Sequence, residues 1–159
     1  MSGLNEEYIP DETDRRILRI LQEDGRITNQ ELAKGARLSP ASCFERMKRL
    51  RASGIIQGFT ALLDPSRLNN ALLVFIEVSL DRTTDDAFAA FAEHVRGVPE
   101  VLECHMVAGG FDYLLKVRMS DMPAYRAFLG GNLASMPGVR ESRTYAVLEE
   151  VKQTTQIPI

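Results

Sequence analysis

The chain has 159 residues, 45% hydrophobic and 26% charged, with a formal net charge of −3, the composition of a soluble protein of one domain or two small ones. No run approaches the roughly 20 consecutive apolar residues of a membrane span, and the polar, acidic opening "MSGLNEEYIPDETD" is neither a signal nor a transit peptide. Cys43 and Cys104 have no CxxC spacing and no clustered histidine, which excludes a zinc site and fits a reducing, cytoplasmic setting.

The charge is unevenly placed. Residues 1–64 carry ten Lys/Arg and ten Asp/Glu, whereas residues 65–159 carry nine and twelve. Within the first half, Arg37, Arg46, Lys48, Arg49 and Arg51 face one acid, Glu45. That makes a local anion-binding surface, or equally a solvated helix face.

Three helices are predicted before residue 55. The first opens on Asp11 and stops at Gly25, with Ile17, Leu18 and Leu21 as its apolar stripe. The second opens on "TNQE", a capping box of Thr28 and Glu31, and turns Leu32, Ala33 and Ala36 inward. The third has Ser39 as N-cap, Pro40 in the first helical position and Gly54 after its end. Cys43, Met47 and Leu50 recur on its inner face, with Phe44 at the border.

A short turn between the second and third helices, with polar and basic groups outward on the third, is the pattern of a helix-turn-helix. The second helix of that motif enters the major groove of double-stranded DNA. The DNA-facing set is then Arg37, Ser39, Ala41, Ser42, Glu45, Arg46, Lys48 and Arg49. A plain three-helix bundle shares the same caps. "IIQGFTALLDP" follows as a strand or small wing, and closes a first domain at residues 1–64.

Residues 65–159 read as a second domain. "ALLVFIEVSL" is a strand with Leu72, Val74, Ile76 and Val78 on one face, and a helix follows with Phe88, Phe91, Ala92 and Val95 inward. "EVLECHMVA" and "FDYLLKVRM" flank Gly109-Gly110. A second helix turns Met122, Tyr125, Leu129 and Leu133 inward and stops at Pro137-Gly138, and "VRESRTYAVLEEV" is the last strand. The order βαββαβ is ferredoxin-like, so the expected fold class is α+β, with a winged helix-turn-helix or plain three-helix domain before a ferredoxin-like one.

A two-residue hairpin loop at Gly109-Gly110 sets the register. Met106 faces Tyr113, Cys104 faces Leu115 and Leu102 faces Val117, all under the helices. On the open face Val107 opposes Asp112, His105 opposes Leu114, and Glu103 makes an attractive pair with Lys116. Leu73, Phe75 and Leu114 leave that face partly apolar, which calls for a second copy of the chain. His94 and His105, the only histidines, form no catalytic set, so no enzyme and no cofactor are expected.

"LSPASCFERMKRLRASGIIQGFTALLDP", "VLECHMVAGGFDYLLKVRMSDMPAYRAFL" and "MPGVRESRTYAVLEEVKQTTQIPI" closely resemble the Lrp/AsnC family of transcriptional regulators, from about Asp11 to the C-terminus. The resemblance implies a sequence-specific DNA-binding regulator whose second domain senses a small amino acid, leucine or proline-like. It also implies homodimers that assemble to octamers. The effector site it implies is the turn Gly109, Gly110, Phe111 and Asp112, where amide groups suit a carboxylate and Asp112 suits an α-ammonium. The leucine-sensing branch usually carries an acidic residue where Gly110 stands, and its loss suits either turn chemistry or a changed effector. The alternative function is an amino-acid-binding regulatory subunit that acts through protein contacts without DNA.

Overall fold

The computed structural model describes residues 8–159, which divide into two units, one of residues 8–62 with Lys152–Ile159 and one of residues 63–151. Residues 1–7, the start of the polar opening, lie outside the described residues. Among the described residues no helix is long and apolar enough to cross a membrane.

The first unit holds α1 (Glu12–Glu23), α2 (Asn29–Ala36) and α3 (Pro40–Ala52). Each begins where a side chain covers a free N–H. Asp11 and Thr28 form reciprocal boxes with Asp14 and Glu31, and Ser39 caps Ser42 ahead of Pro40. Ile17, Leu32, Ala33, Ala36, Cys43 and Leu50 form the buried core. A methyl group added at Gly35 would stand 2.9 Å from Ile20 Cδ1, so the tip of that side chain would have to move to admit it. Residues 55–65, expected as a strand or wing, form no strand, and Phe59, Leu62 and Leu63 are exposed. β-branched and aromatic composition describes a fit to a sheet, and no strand among the described residues pairs with this segment.

The segment Lys152–Ile159, expected with the second domain, packs on α1. Gln22 donates to the Ile157 carbonyl at 3.1 Å and accepts from its N–H at 2.7 Å, while Arg19 Nε donates to the Ile159 oxygen at 2.7 Å.

The second unit is a four-stranded antiparallel sheet in the order β2-β3-β1-β4, formed by β1 (Leu72–Leu80), β2 (Val101–Met106), β3 (Tyr113–Met119) and β4 (Val139–Ala146). Two helices, α4 (Asp85–Arg96) and α5 (Met122–Phe128), supply its cover. Val74, Ile76 and Val78 of β1 pack with Leu115 and Val117 of β3 against Phe91, Val95, Tyr125 and Phe128. Tyr113 anchors α4: its ring lies 4.5 Å from Phe91 and 6.1 Å, edge-on, from Phe88.

The hairpin register holds from Met106↔Tyr113 to Glu103↔Lys116 and then shifts. A bulge places Val101, not Leu102, opposite Val117, and Leu102 is 54% exposed. One extra residue reverses every side chain beyond it, which simple alternation cannot anticipate. Met106 keeps its partner but is 56% exposed, because β2 is the sheet edge. Met122, expected inward, is 50% exposed at the first turn of α5. After Phe128 the helix widens into a π turn, Leu129–Leu133, and β4 stops at Ala146 instead of running on to Val151.

Leu115→Ala should lower the unfolding free energy by about 3 kcal/mol, whereas Met122→Ala should cost less than about 1 kcal/mol. Denaturant titration of the two variants measures the difference.

Candidate functional site

The residues expected to meet DNA gather on α3 and the turn before it, but they are not equivalent. Ala41, Ser42, Glu45, Lys48 and Arg49 are exposed. Ser39 is committed to the helix start: its Oγ accepts from the Ser42 N–H at 3.2 Å and donates to the Ser42 hydroxyl at 2.9 Å. Arg37, the C-cap of α2, sits at φ 59° and ψ 47°, a left-handed conformation that costs a residue with a Cβ roughly 1–2 kcal/mol.

Arg46 is the exception. Its Nη1 donates to Asp11 Oδ2 at 2.7 Å and to Asp14 Oδ1 at 2.8 Å, and its side chain is only 23% exposed. Asp14 is 1% exposed and also accepts the Tyr8 hydroxyl at 2.5 Å. The Arg46 guanidinium beside Asp11 holds that carboxyl below its usual range, and the two carboxylates hold Arg46 firmly protonated. Arg49 then lies 5.8 Å from the centre of the Tyr8 ring, within cation–π reach. The expectation of a free Arg46 on the outer face is therefore corrected: it ties α3 to the start of α1. Helical periodicity places Arg46 outward without revealing a partner 32 residues upstream. The one signal for it was the pair of acids at Asp11 and Asp14.

The turn Gly109–Asp112 lies where β2 ends and β3 begins, beside the end of β1. Val107 N–H donates to the Asp112 carbonyl at 3.0 Å, and Asp112 N–H donates to the Val78 carbonyl at 3.0 Å. Asp112 Oδ2 accepts the Leu80 N–H at 2.7 Å. Asp112 is thus half-buried and fastened to β1, not standing clear at a hairpin tip. Neither Gly109 nor Gly110 takes a positive φ, and a Cβ added to either would meet nothing within 4 Å. The two-residue turn with left-handed glycines is not what forms. Residues 108–111 make a wider loop, with both glycines exposed.

On the open face, Lys116 donates to Glu103 at 2.8 Å, and His105 lies 3.2 Å from the other oxygen. The Lys116 ammonium, and then His105, hold the Glu103 carboxyl below its usual range. Phe75 and Leu114 are half-buried beside them, and Tyr145 of β4 is exposed.

A capped helix pair with an exposed basic second helix, joined to a βαββαβ unit with a loop fastened beside its central strand, defines a ligand-responsive DNA-binding protein. Residues 10–57 match the winged helix-turn-helix DNA-binding model, and residues 73–157 match the Lrp/AsnC ligand binding domain. The chain belongs to the Lrp/AsnC family of transcriptional regulators. It is 52% identical over 149 residues to the leucine-responsive regulatory protein of Escherichia coli (strain K12), covering 94% of this chain and 91% of that one. Among solved structures, a transcriptional regulator from Neisseria meningitidis in complex with L-Met superposes with a TM-score of 0.89 at 43% identity, covering 94% of this chain and 97% of that one. An AsnC family transcriptional regulator from Agrobacterium tumefaciens gives a TM-score of 0.89 at 36% identity with the same coverage.

Arg46→Ala should lower stability by about 2 kcal/mol, less than the roughly 3–5 kcal/mol of a fully buried pair because Arg46 keeps some contact with water. Thermal unfolding of the variant, set beside Lys48→Ala with an unchanged midpoint, checks the assignment.

Proposed function

We propose that this protein regulates transcription in the cytoplasm by binding promoter DNA through α3, with an amino acid held at the Gly109–Asp112 loop altering its affinity or assembly. The observation that carries the reading is the exposure of basic side chains that form no ion pair among the described residues. Lys48, Arg49 and Arg37 stand exposed around the start and outer face of α3, where they neutralise phosphates or donate to base edges. Ala41 and Ser42, in the first turn, are the short residues that let this helix approach the bases, and Glu45 accepts from a cytosine amino group. Ser39 fixes the helix start, and Arg46 acts on DNA only through the placement of α3.

Arg37 carries a further sign of function. A glycine would relax its left-handed backbone, so the guanidinium is retained at a cost in stability.

For the effector, Oδ2 of Asp112 is engaged by Leu80, and Oδ1 takes the α-ammonium. Main-chain amides of Gly109 and Gly110 take the carboxylate, and Phe111 borders the side chain. The open conformation around Gly110 argues that its missing side chain tunes the ligand. Leucine, methionine and proline are the effectors to compare, since the relatives' names associate that fold with leucine and L-Met. The partly apolar open face, with Phe75, Leu114 and Tyr145, packs on the same face of a second copy. Paired α3 helices then read a two-fold operator, and dimers assemble to octamers.

Binding of promoter DNA should weaken steeply with salt, and Arg37→Gly should reduce affinity at least ~10-fold while leaving stability unchanged or higher by up to about 1 kcal/mol. Gel-shift titrations across salt, with thermal unfolding alongside, measure both. Equal affinity for promoter and random DNA would favour a regulatory subunit acting through protein contacts. Calorimetry with leucine, methionine and proline tests the effector site. Asp112→Asn keeps an acceptor for Leu80 and loses the charge, so it should remain folded and lose amino-acid binding at least ~10-fold.

A further inference from the structure

At the end of the sheet away from the Gly109–Asp112 loop, a cavity of about 520 Å³ opens between the start of β1, the end of β3 and α5, a size typical of small-molecule sites, roughly 300–1,000 Å³. Met119, Ala127 and Phe128 give it apolar walls. Glu100, Arg118, Asn69, Asn70, Ser120 and Asn132 give it polar ones. Asn132 belongs to the π turn Leu129–Leu133, and such widened turns occur most often at functional sites.

The two charged groups differ in what they already hold. Arg118 is 8% exposed, and its Nη2 donates to both oxygens of Glu150 at 2.6 and 2.7 Å. That pair is electrically closed. Glu100 is positioned beside it, its carbonyl accepting the Arg118 N–H at 3.1 Å. Its Oε2 is sealed from solvent and has no hydrogen-bond partner among the described residues. Burying a carboxylate oxygen without a donor is costly, and only the other oxygen of the pair is left for the cavity. With Arg118 already matched by Glu150, the remaining charge at the cavity is one negative.

We propose that this cavity is a second ligand site, which takes a small organic ammonium ion. Its N–H donors lie on the Glu100 carboxylate and its apolar chain lies against Phe128, Met119 and Ala127. A free carboxylate on the ligand meets no unpaired cation here, because Arg118 is engaged by Glu150 and only neutral amide and hydroxyl groups remain. The site is therefore chemically distinct from the amino-acid loop at the other end of the sheet.

Calorimetry of the full-length protein with isopentylamine, isovalerate and leucine tests this in three variants. Isopentylamine should bind saturably to the wild type and to Asp112→Asn, and at least ~10-fold more weakly to Glu100→Gln. Isovalerate should not bind the cavity. Ala127 is exposed on α5, so Ala127→Leu narrows the cavity without touching the core and should also abolish amine binding if Glu100→Gln does not fold. Absence of amine binding to the wild type would overturn the proposal, and so would undiminished binding to folded Glu100→Gln or Ala127→Leu. Amine binding lost in Asp112→Asn but kept in Glu100→Gln would place the ammonium at the loop and sink the second site alone. Loss of leucine binding in Asp112→Asn bears only on the effector loop.

Discussion

The ladder between β1 and β3 is the joint on which the sensing unit depends. Its central pairs, Val74↔Val117 and Ile76↔Leu115, are buried on the helix side and bring α4 and α5 onto one core. At one end the main-chain pairing stops at Val78↔Tyr113, and Asp112 takes over with its N–H on Val78 and its carboxylate on Leu80. A side chain that completes a ladder is held as rigidly as the strand itself. The loop that carries Gly109 and Gly110 is therefore flexible in composition but fixed at its base, which is the condition a recognition loop needs.

The same ladder explains how the two ends of one sheet come to offer different chemistry. Antiparallel pairing puts the end of β1 and the start of β3 together at the loop, and the start of β1 and the end of β3 together at the cavity. At the loop, two exposed glycines stand beside a carboxylate whose Oδ2 is held by the Leu80 N–H. At the cavity, the guanidinium is consumed by Glu150 and a lone carboxylate is left. Counting charges without counting their partners would make the two ends look alike.

Much of this was legible in the sequence because it follows from local rules. Caps at Asp11, Thr28 and Ser39 fix where helices start, and the alternation of Leu72, Val74, Ile76 and Val78 fixes which face is buried. The hairpin register from Met106 to Glu103 is the one a two-residue loop predicts, because the four-residue loop that forms keeps the same pairing. What escaped was non-local or depended on one residue of slack. The bulge at Leu102 has no signature in the alternation, the partner of Arg46 lies in another helix, and nothing in "KQTTQIPI" predicts that Gln22 would grip Ile157. For the candidate sites, the residue types were readable, but which of them already had partners was not.

That distinction changes what the basic face of α3 means. Of the groups the helical wheel turns outward, Arg46 is withdrawn by Asp11 and Asp14, and Arg49 leans over Tyr8, itself fixed by Asp14. Asp14 is thus the hub that sets α3 against α1, although it makes no contact with solvent to speak of and carries the wrong charge to meet DNA. A carboxylate buried at a helix start is tolerable only while its donors stay in place. The orientation of α3 therefore rests on an ion pair inside the fold, and Lys48 and Arg37 stand exposed outside that network.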